Sequence, residues 1–435
     1  MNFLAPAASV LLDYYREPQA NLRLLLARFL QDYAGADKSA LTRTVYGVAR
    51  KDIALDHVIG LFLKNKGQKP PLPTQVLLKI AVFLLMYSDA YPEYAVVNEA
   101  VDAAARKEKP FVNAVLRQLL RRKREVGEQL AGSDDPSLRY SLSPLLLAGL
   151  RRIDASGEAD LEYLDREPVF HLRFNPGRLS LERAHQMLEG AAIPCRELRV
   201  LGCFETAAAG QVLEKPEELG DFYVQNTGSQ AVAFVAAAKA EKEVCDVAAA
   251  PGGKSLTLAC LRPDLKIWAS DISALRLRLL EQNIRRLRLN GIQVFAADVL
   301  RYPAGREAAD LIILDAPCTS SGTLRKNPDL KNKITPETVR TNAGQQKLML
   351  ASLATRFPRA RILYAVCSFL AEESEEVVEK AAIARGLRPE AIAPMLGKYG
   401  YRLKEAKYGC YLLPSGLNND LFYISLLEPE RLSKN

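Results

Sequence analysis

The sequence predicts a multidomain chain: an all-α bundle first, a small α/β linker domain next, and a doubly wound α/β domain last. Three observations predict it. Apolar residues recur at spacings of three and four from Ala8 to about Arg124, with period-two alternation nearly absent. Turn-forming residues cluster at Gly132 to Pro136 and read as a linker. From about Glu243 short apolar runs alternate with helical patterns, which implies right-handed crossovers and a parallel sheet covered on both faces. The expected boundaries are 1–135, 136–235 and 236–435.

Composition narrows the class. At 435 residues, 49% hydrophobic and 25% charged, this is a globular chain able to bury sizeable cores. A net charge of +8 and a pI near 9.0 favour a polyanionic partner. Seven cysteines without paired short spacings fit a reducing compartment rather than a disulfide scaffold. His57, His171 and His185 join no cluster at ligand spacing, so no metal site is expected. Met1 to Asp13 lacks the basic region and cleavage pattern of a leader, and no window reaches the length of a membrane span. The expected location is the cytoplasm, with no membrane partner.

In the bundle, Leu22-Arg23-Leu24-Leu25-Leu26 with Phe29-Leu30, and Leu77-Leu78 with Ile80-Ala81 and Leu84-Leu85, give the helical periodicity. Gly67 to Pro73 and Tyr91-Pro92 are breaks. The last helix, Pro110 to about Lys123, ends in Arg117, Arg121, Arg122, Lys123 and Arg124. Such a run complements a helix C-terminus, and it also fits a phosphate-facing patch. A short helical stretch follows the linker, and His171 to Pro176 reads as a strand ending in a turn. The expected parallel strands are Val244 to Ala248, Ile267 to Ala269, Val294 to Ala296, Leu311 to Leu314 and Ile362 to Val366, with a helix over Ser273 to Leu289.

Chemistry-bearing residues gather at the ends of those strands. After the first comes Asp246-Val247-Ala248-Ala249-Ala250-Pro251-Gly252-Gly253-Lys254, with a helix starting near Ser255. Small residues and two glycines at a strand-to-helix turn let backbone amides approach a ligand closely. Asp271, Asp298 and Asp315 end the next three strands. An acidic residue at the second strand's end accepts hydrogen bonds from ribose hydroxyls, and Asp298 is placed for an adenine amino group, although either aspartate can also cap a helix. A phosphate-binding loop is excluded because no glycine stands five positions before Gly253, and no dehydrogenase-type glycine triplet is present. Cys318 and Cys367 each follow an apolar run. If their strand ends lie side by side, two thiols face one substrate, which suggests covalent catalysis on an electron-poor ring; the alternative is a pair of inert buried cysteines.

Together these residues resemble the 5-methylcytosine RNA methyltransferases of the RsmB (Sun, Fmu) branch. The loop from Asp246 to Lys254 resembles that family's cofactor motif, and Asp315-Ala316-Pro317-Cys318 its Asp-Ala-Pro-Cys motif. Tyr364 to Ser368 with Glu372, Glu373, Glu375 and Glu376 resembles its second cysteine motif with trailing acids. Lys326-Asn327-Pro328-Asp329 and the entry segment Gly220 to Gln225 with Ser229-Gln230 are similar to further family segments. Tyr91-Pro92-Glu93 to Asn98-Glu99-Ala100 and Phe111 to Leu116 are similar to the RNA-binding factor NusB.

The resemblance implies a NusB-like bundle, a Rossmann-like methyltransferase domain, S-adenosyl-L-methionine as cofactor, 16S rRNA as partner, no metal, and a monomer. It makes Cys367 the nucleophile and Cys318 the group that assists proton loss and release. Asp315 hydrogen-bonds the cytosine, and Lys254 stabilises the site. Residues 246–254, Asp271, Arg276, Asp298 and Asp315 hold the cofactor. Arg276, Arg278, Arg285, Arg286 and Arg288 either hold RNA phosphates or form a solvated basic face. The departures are Val247 for the usual loop cysteine, Ala365-Val366 for Ser-Thr before the second cysteine, and Ser-Leu-Ser-Pro after Tyr140. The competing readings are a catalytically decayed RNA-binding or ribosome assembly factor, and the same chemistry on another RNA such as tRNA.

Overall fold

The computed structural model describes residues 4–17, 19–35, 37–63, 69–154, 158–200, 202–213, 215 and 219–430. The chain divides into two compact units, Met1–Ala148 with Leu324–Thr335, and Gly149–Thr323 with Pro336–Asn435.

The first unit is helical: α1 (Leu4–Arg16), α2 (Leu22–Asp32), α3 (Lys38–Arg50), α4 (Asp52–Leu61), α5 (Leu72–Tyr87), α6 (Glu93–Ala103), α7 (Lys109–Ala131) and the short α8 (Pro136–Tyr140). Asn21 and Asp37 start α2 and α3 by accepting from the Leu24 and Ala40 amides at 3.1 and 2.7 Å. Helix α5 is apolar nearly all round, burying Val76, Leu78, Ile80, Ala81 and Val82 together, so it runs through the core. Pro73 stands at its first turn, where the missing N–H costs nothing. Gly67, the other end of that predicted break, lies outside the described residues.

Helix α7 runs to Ala131, well past the expected end at Lys123, so the basic run sits inside the helix rather than at its C-terminus. Carboxylates on the same and the neighbouring helix explain the continuation. Arg122 pairs with Glu125 at 2.6 Å, Arg124 with Glu128 at 2.8 Å and Lys123 with Glu93 at 2.7 Å, while Val126 is fully buried.

Segment 324–335 belongs to this unit although it follows in sequence almost directly on the Cys318 loop. Arg50 donates to the Arg325 carbonyl at 2.9 Å, Lys331 to the Arg50 and Tyr140 carbonyls at 2.9 and 3.1 Å, and Asn332 to Asp52 at 2.8 Å.

In the second unit, α9 (Pro144–Ile153), whose first residues belong to the other unit, and α10 (Glu158–Asp165) precede β1 (Phe170–Phe174). Then come α11 (Leu181–Gly190), β2 (Arg196–Glu197), β3 (Cys203–Thr206), α12 (Ala209–Leu213) and β4 (Phe222–Val224). These strands form an antiparallel sheet of order β2-β3-β1-β4, with Leu172, Phe174, Phe204 and Phe222 in its core.

The larger sheet follows. Its elements are α13 (Thr227–Lys239), β5 (Glu243–Asp246), α14 (Gly253–Leu261), β6 (Lys266–Asp271), α15 (Ala274–Arg286), β7 (Ile292–Ala296), β8 (Leu311–Asp315), α16 (Pro336–Arg356) and β9 (Arg361–Val366). They continue through α17 (Glu375–Ala381), β10 (Leu387–Glu390), α18 (Ala393–Gly397), β11 (Arg402–Ala406), β12 (Gly409–Leu413) and β13 (Phe422–Pro429). The order is β11-β12-β13-β9-β8-β5-β6-β7, with β10 on β13.

Strands β5 to β9 are parallel, as expected, but β13 runs antiparallel to β9, so the sheet is mixed. A strand entered from β12 without a helical crossover has to pair antiparallel. Strands β8 and β9 are buried along nearly their whole length, which is why they read as unbroken apolar runs, whereas β7 lies at the edge and is half-exposed. From β5 the chain goes to β6 on one side and later to β8 on the other. Ligands bind outside the carboxyl ends of strands at such a switch point.

Candidate active site

A cavity of about 370 Å³ opens at those carboxyl ends, within the range of about 300–1,000 Å³ usual for small-molecule sites. Val247, Ala248 and Ala250 line it after β5, and Asp271, Ile272 and Arg276 after β6. Ala297, Asp298 and Val299 line it after β7, and Asp315 to Cys318 with Ser320 after β8. Met349 of α16 and Cys367 complete the wall. The sequence-predicted Asp246, Ala249, Pro251, Gly252, Gly253 and Lys254 do not line it. Gly252 holds φ at +112°, and a Cβ there would stand 2.3 Å from Leu280 Cδ1, so the turn demands glycine.

Asp271 and Asp298 line the cavity while accepting from nearby backbone amides, and Ser273, not Asp271, caps α15. Asp271 accepts from the Ala250 amide at 3.2 Å and the Ser273 amide at 2.9 Å. Arg276 lies 3.6 Å from Asp271 and donates to the Ala250 carbonyl, so the pair braces the glycine turn. Asp298 accepts from the Leu300 amide at 2.9 Å. Asp246 is fully buried. One of its oxygens accepts from Ser255 Oγ at 2.6 Å, and Oδ1 has no hydrogen-bond partner among the described residues. Burial pushes its carboxyl up to about 6.

The two thiols meet. Cys318 Sγ and Cys367 Sγ are 3.5 Å apart, because β8 and β9 are parallel neighbours with Asp315 opposite Ala365. The ladder continues past the strands: the Ala316 amide donates to the Ala365 carbonyl and the Gly322 amide to the Cys367 carbonyl, each at 2.9 Å. Cys367 Sγ also lies 3.4 Å from Ser320 Oγ. The hydrogen bond to Cys367, then burial, then the Glu373 charge push the Cys318 thiol well above its ordinary value. Lys254 forms an ion pair with Asp315. Burial works against its charge, but Asp315, Asp246 and Cys367 outweigh it and hold the ammonium above the usual lysine value.

Gly322 shows how tightly this corner is built. A Cβ there would stand 1.9 Å from the Leu421 carbonyl oxygen and 3.1 Å from that of Cys367, both backbone. Gly322→Ala is therefore expected to cost on the order of 1–3 kcal/mol or more, as overpacking does. A urea-denaturation midpoint checks this, and an unchanged midpoint would mean that these backbones are not held so close.

Sequence reasoning missed Glu373 as a site residue. It was legible only as one of four trailing acids, yet its side chain is fully buried against the Cys318 loop, while Glu372, Glu375 and Glu376 keep partial exposure. Ala365 and Val366, the departures before the second cysteine, are fully buried inside β9. Of the basic helix, Arg286 donates to the Phe222 carbonyl at 2.7 Å and also to that of Gly220, an internal bracing role. Arg278, Arg285 and Arg288 stay exposed. Among the described residues no cluster could hold a metal ion, and no helix is long and apolar enough to cross a membrane.

Parallel strands carrying a glycine turn, strand-end carboxylates and a cavity at their carboxyl ends define the class: a Rossmann-like S-adenosylmethionine-dependent methyltransferase with an all-α N-terminal domain. Residues 233–428 match the 16S rRNA methyltransferase RsmB/F model, and residues 7–121 match the NusB family. The matches give the chain an RsmB/F-type methyltransferase domain behind a NusB-family domain.

It is 29% identical over 364 residues to "Probable ribosomal RNA small subunit methyltransferase B" of Synechocystis sp., covering 79% of this chain and 80% of that one. It is 27% identical to "Ribosomal RNA small subunit methyltransferase B" of Salmonella agona over 98% of both chains. The solved structure described as PH0851 shares the fold, with a TM-score of 0.71 at 23% identity over 98% of this chain and 99% of that one.

The residues present fit the cofactor. The cavity has the size of a small-ligand site, Ile272, Val299 and Pro317 give it apolar walls, and carboxylates stand at three successive strand ends.

Proposed function

We propose that the chain is an RNA (cytosine-5)-methyltransferase acting on 16S rRNA through a covalent adduct of Cys367 with cytosine carbon 6. The observation that carries this reading is the 3.5 Å approach of two thiols at the rim of the cofactor-sized cavity. An enzyme that methylates an exocyclic amine or a hydroxyl has no use for a second thiol beside the first. The names of the Synechocystis and Salmonella relatives support the small ribosomal subunit as the source of the substrate.

Carbon 5 of cytosine is a poor nucleophile. The Cys367 thiolate adds to carbon 6, and the displaced π pair makes carbon 5 an enamine-type nucleophile. Bound S-adenosylmethionine supplies the electrophilic methyl group. Asp315, at the end of β8 and lining the cavity, accepts a hydrogen bond from the cytosine amino group and orients the ring. Lys254, paired with Asp315, supplies positive potential where charge builds on the ring. Cys318 then takes the carbon 5 proton, carbon 5 and carbon 6 regain their double bond, and the Cys367 thiolate leaves. Cys318 rests as a thiol and has to give its own proton to solvent before this step; the hydrogen bond to Cys367 and the burial that oppose its ionisation make the thiolate, once formed, a strong base. The cofactor would be held by the glycine turn, by Asp271 through its ribose and by Asp298 through its adenine. The target base has to leave its stack to reach this site.

Bisulfite sequencing of 16S rRNA tests the reading. A strain lacking the gene is expected to lose one 5-methylcytosine, restored by the wild-type chain but not by a Cys367→Ser chain. An unchanged 16S pattern with a cytosine lost from another RNA would keep the chemistry and replace the substrate.

A further inference from the structure

Glu373 is a carboxylate with no exposed surface, and nearly everything it touches belongs to one of the two cysteine loops. On the Cys318 side, the Thr319 amide and hydroxyl donate to Oε1 and Oε2 at 2.7 and 2.5 Å. On the Cys367 side, Ser368 Oγ donates to Oε2 at 2.6 Å. Gln346 of α16 reaches both, donating to the Pro317 carbonyl at 2.9 Å and to Glu373 Oε1 at 3.4 Å. The Tyr364 hydroxyl of β9 donates to the Glu373 carbonyl at 2.7 Å, which fixes the residue's own backbone.

The hydroxyls form an ordered chain. Ser368 spends its proton on Glu373 and so accepts from Ser321 Oγ at 2.9 Å, and Ser321 in turn accepts from the Phe369 amide at 3.1 Å. Every link crosses from one cysteine loop to the other or closes on Glu373.

A buried carboxylate has to satisfy its lone pairs or it destabilises the fold, and this one satisfies them by tying together the residues that directly follow the two thiols. We propose that Glu373 is a positioning residue that locks the Cys318 loop to the Cys367 loop and sets the distance between the two sulfurs. It acts through Thr319 and Ser368 and does not touch the base. The inference rests on the two-thiol reading of the site. The Glu373 charge beside Cys318 also favours the thiol form of Cys318.

The full-length chain is assayed with cofactor and 16S-derived RNA as Glu373→Gln, Thr319→Val and Thr319→Ser. Glu373→Gln is expected to lower kcat about 100-fold, the effect of an ångström-scale misplacement, with KM for RNA and cofactor within about twofold of wild type. Thr319→Val, which removes one hydroxyl and keeps the shape, should lower kcat about tenfold, the equivalent of one charge-assisted hydrogen bond, and Thr319→Ser should restore it.

A second readout needs no activity. In cofactor-free protein the thiol oxidant diamide, itself reduced as the two thiols lose their hydrogens, should join Cys318 to Cys367 about tenfold more slowly in Glu373→Gln than in wild type, because proximity is lost. Wild-type kcat and wild-type crosslinking in both Glu373→Gln and Thr319→Val would overturn the inference. If Glu373→Gln does not fold, Thr319→Val against Thr319→Ser decides alone. A Cys367→Ser chain that still methylates would instead remove the two-thiol reading, whatever Glu373 does.

Discussion

Cys367→Ser is expected to abolish methyl transfer, by on the order of 10⁴-fold or more, as loss of a covalent nucleophile does. A hydroxyl attacks only when an adjacent base takes its proton. The groups that contact Cys367 Sγ are the Cys318 thiol at 3.5 Å and the Ser320 hydroxyl at 3.4 Å, and neither is a ready base. Lys254 is held as a cation by its ion pair with Asp315. An alcohol in place of Cys367 would therefore stay protonated and inert.

Cofactor binding should survive, because the glycine turn, Asp271 and Asp298 stand on β5 to β7 and their hydrogen bonds do not involve Cys367. Single-turnover transfer of a labelled methyl group and calorimetric titration of the cofactor measure the two properties separately. Retained turnover sinks the nucleophile assignment. Lost cofactor binding would move Cys367 into the cofactor site.

The sequence was most readable where chemistry and backbone coincide. Strands β5, β6 and β8 end in aspartate, and β7 and β9 are followed within two residues by Asp298 and Cys367, so these strands and the residues at their tips are legible without knowing their order in the sheet. Cys318 and Cys367 are 49 positions apart, and only the adjacency of β8 and β9 brings them together. Three features left weaker marks. Strand β13 has no helical partner to set off its apolar run and arrives from a hairpin, so no βα alternation announces it. Segment 324–335 is held by the Arg50 guanidinium, by main-chain acceptors on α3 and α8 and by Asp52, contacts that depend on folded geometry rather than residue pattern. Glu373 looks like its partly exposed neighbours, and burial alone separates it from them. The basic run of α7 misled for the opposite reason. Its carboxylate partners at three and four positions were present in the sequence, and they extend the helix instead of ending it.

Cys318→Ala is expected to trap the enzyme on its product. Once carbon 5 carries the methyl group, the adduct is saturated at carbons 5 and 6, and the Cys367–carbon 6 bond breaks only as the carbon 5 proton is removed. On the proposed mechanism Cys318, whose Sγ lies 3.5 Å from Cys367 Sγ, is the group that takes that proton. Alanine leaves Cys367, its strand and the cofactor cavity in place, so addition and methyl transfer proceed while release slows by roughly 10²–10⁴-fold, the usual contribution of a positioned acid or base. The expected result is a slow-migrating protein–RNA band on a denaturing gel. It should require cofactor, carry the labelled methyl group, and vanish in the Cys318→Ala, Cys367→Ser double variant. Wild-type release with no band, beside an active control, would assign proton removal to another group. Ser320 Oγ, 3.4 Å from Cys367 Sγ, would be the next to replace. A band lacking the labelled methyl group would place the block before methyl transfer, and would make Cys318 a partner of the addition step instead of the release step.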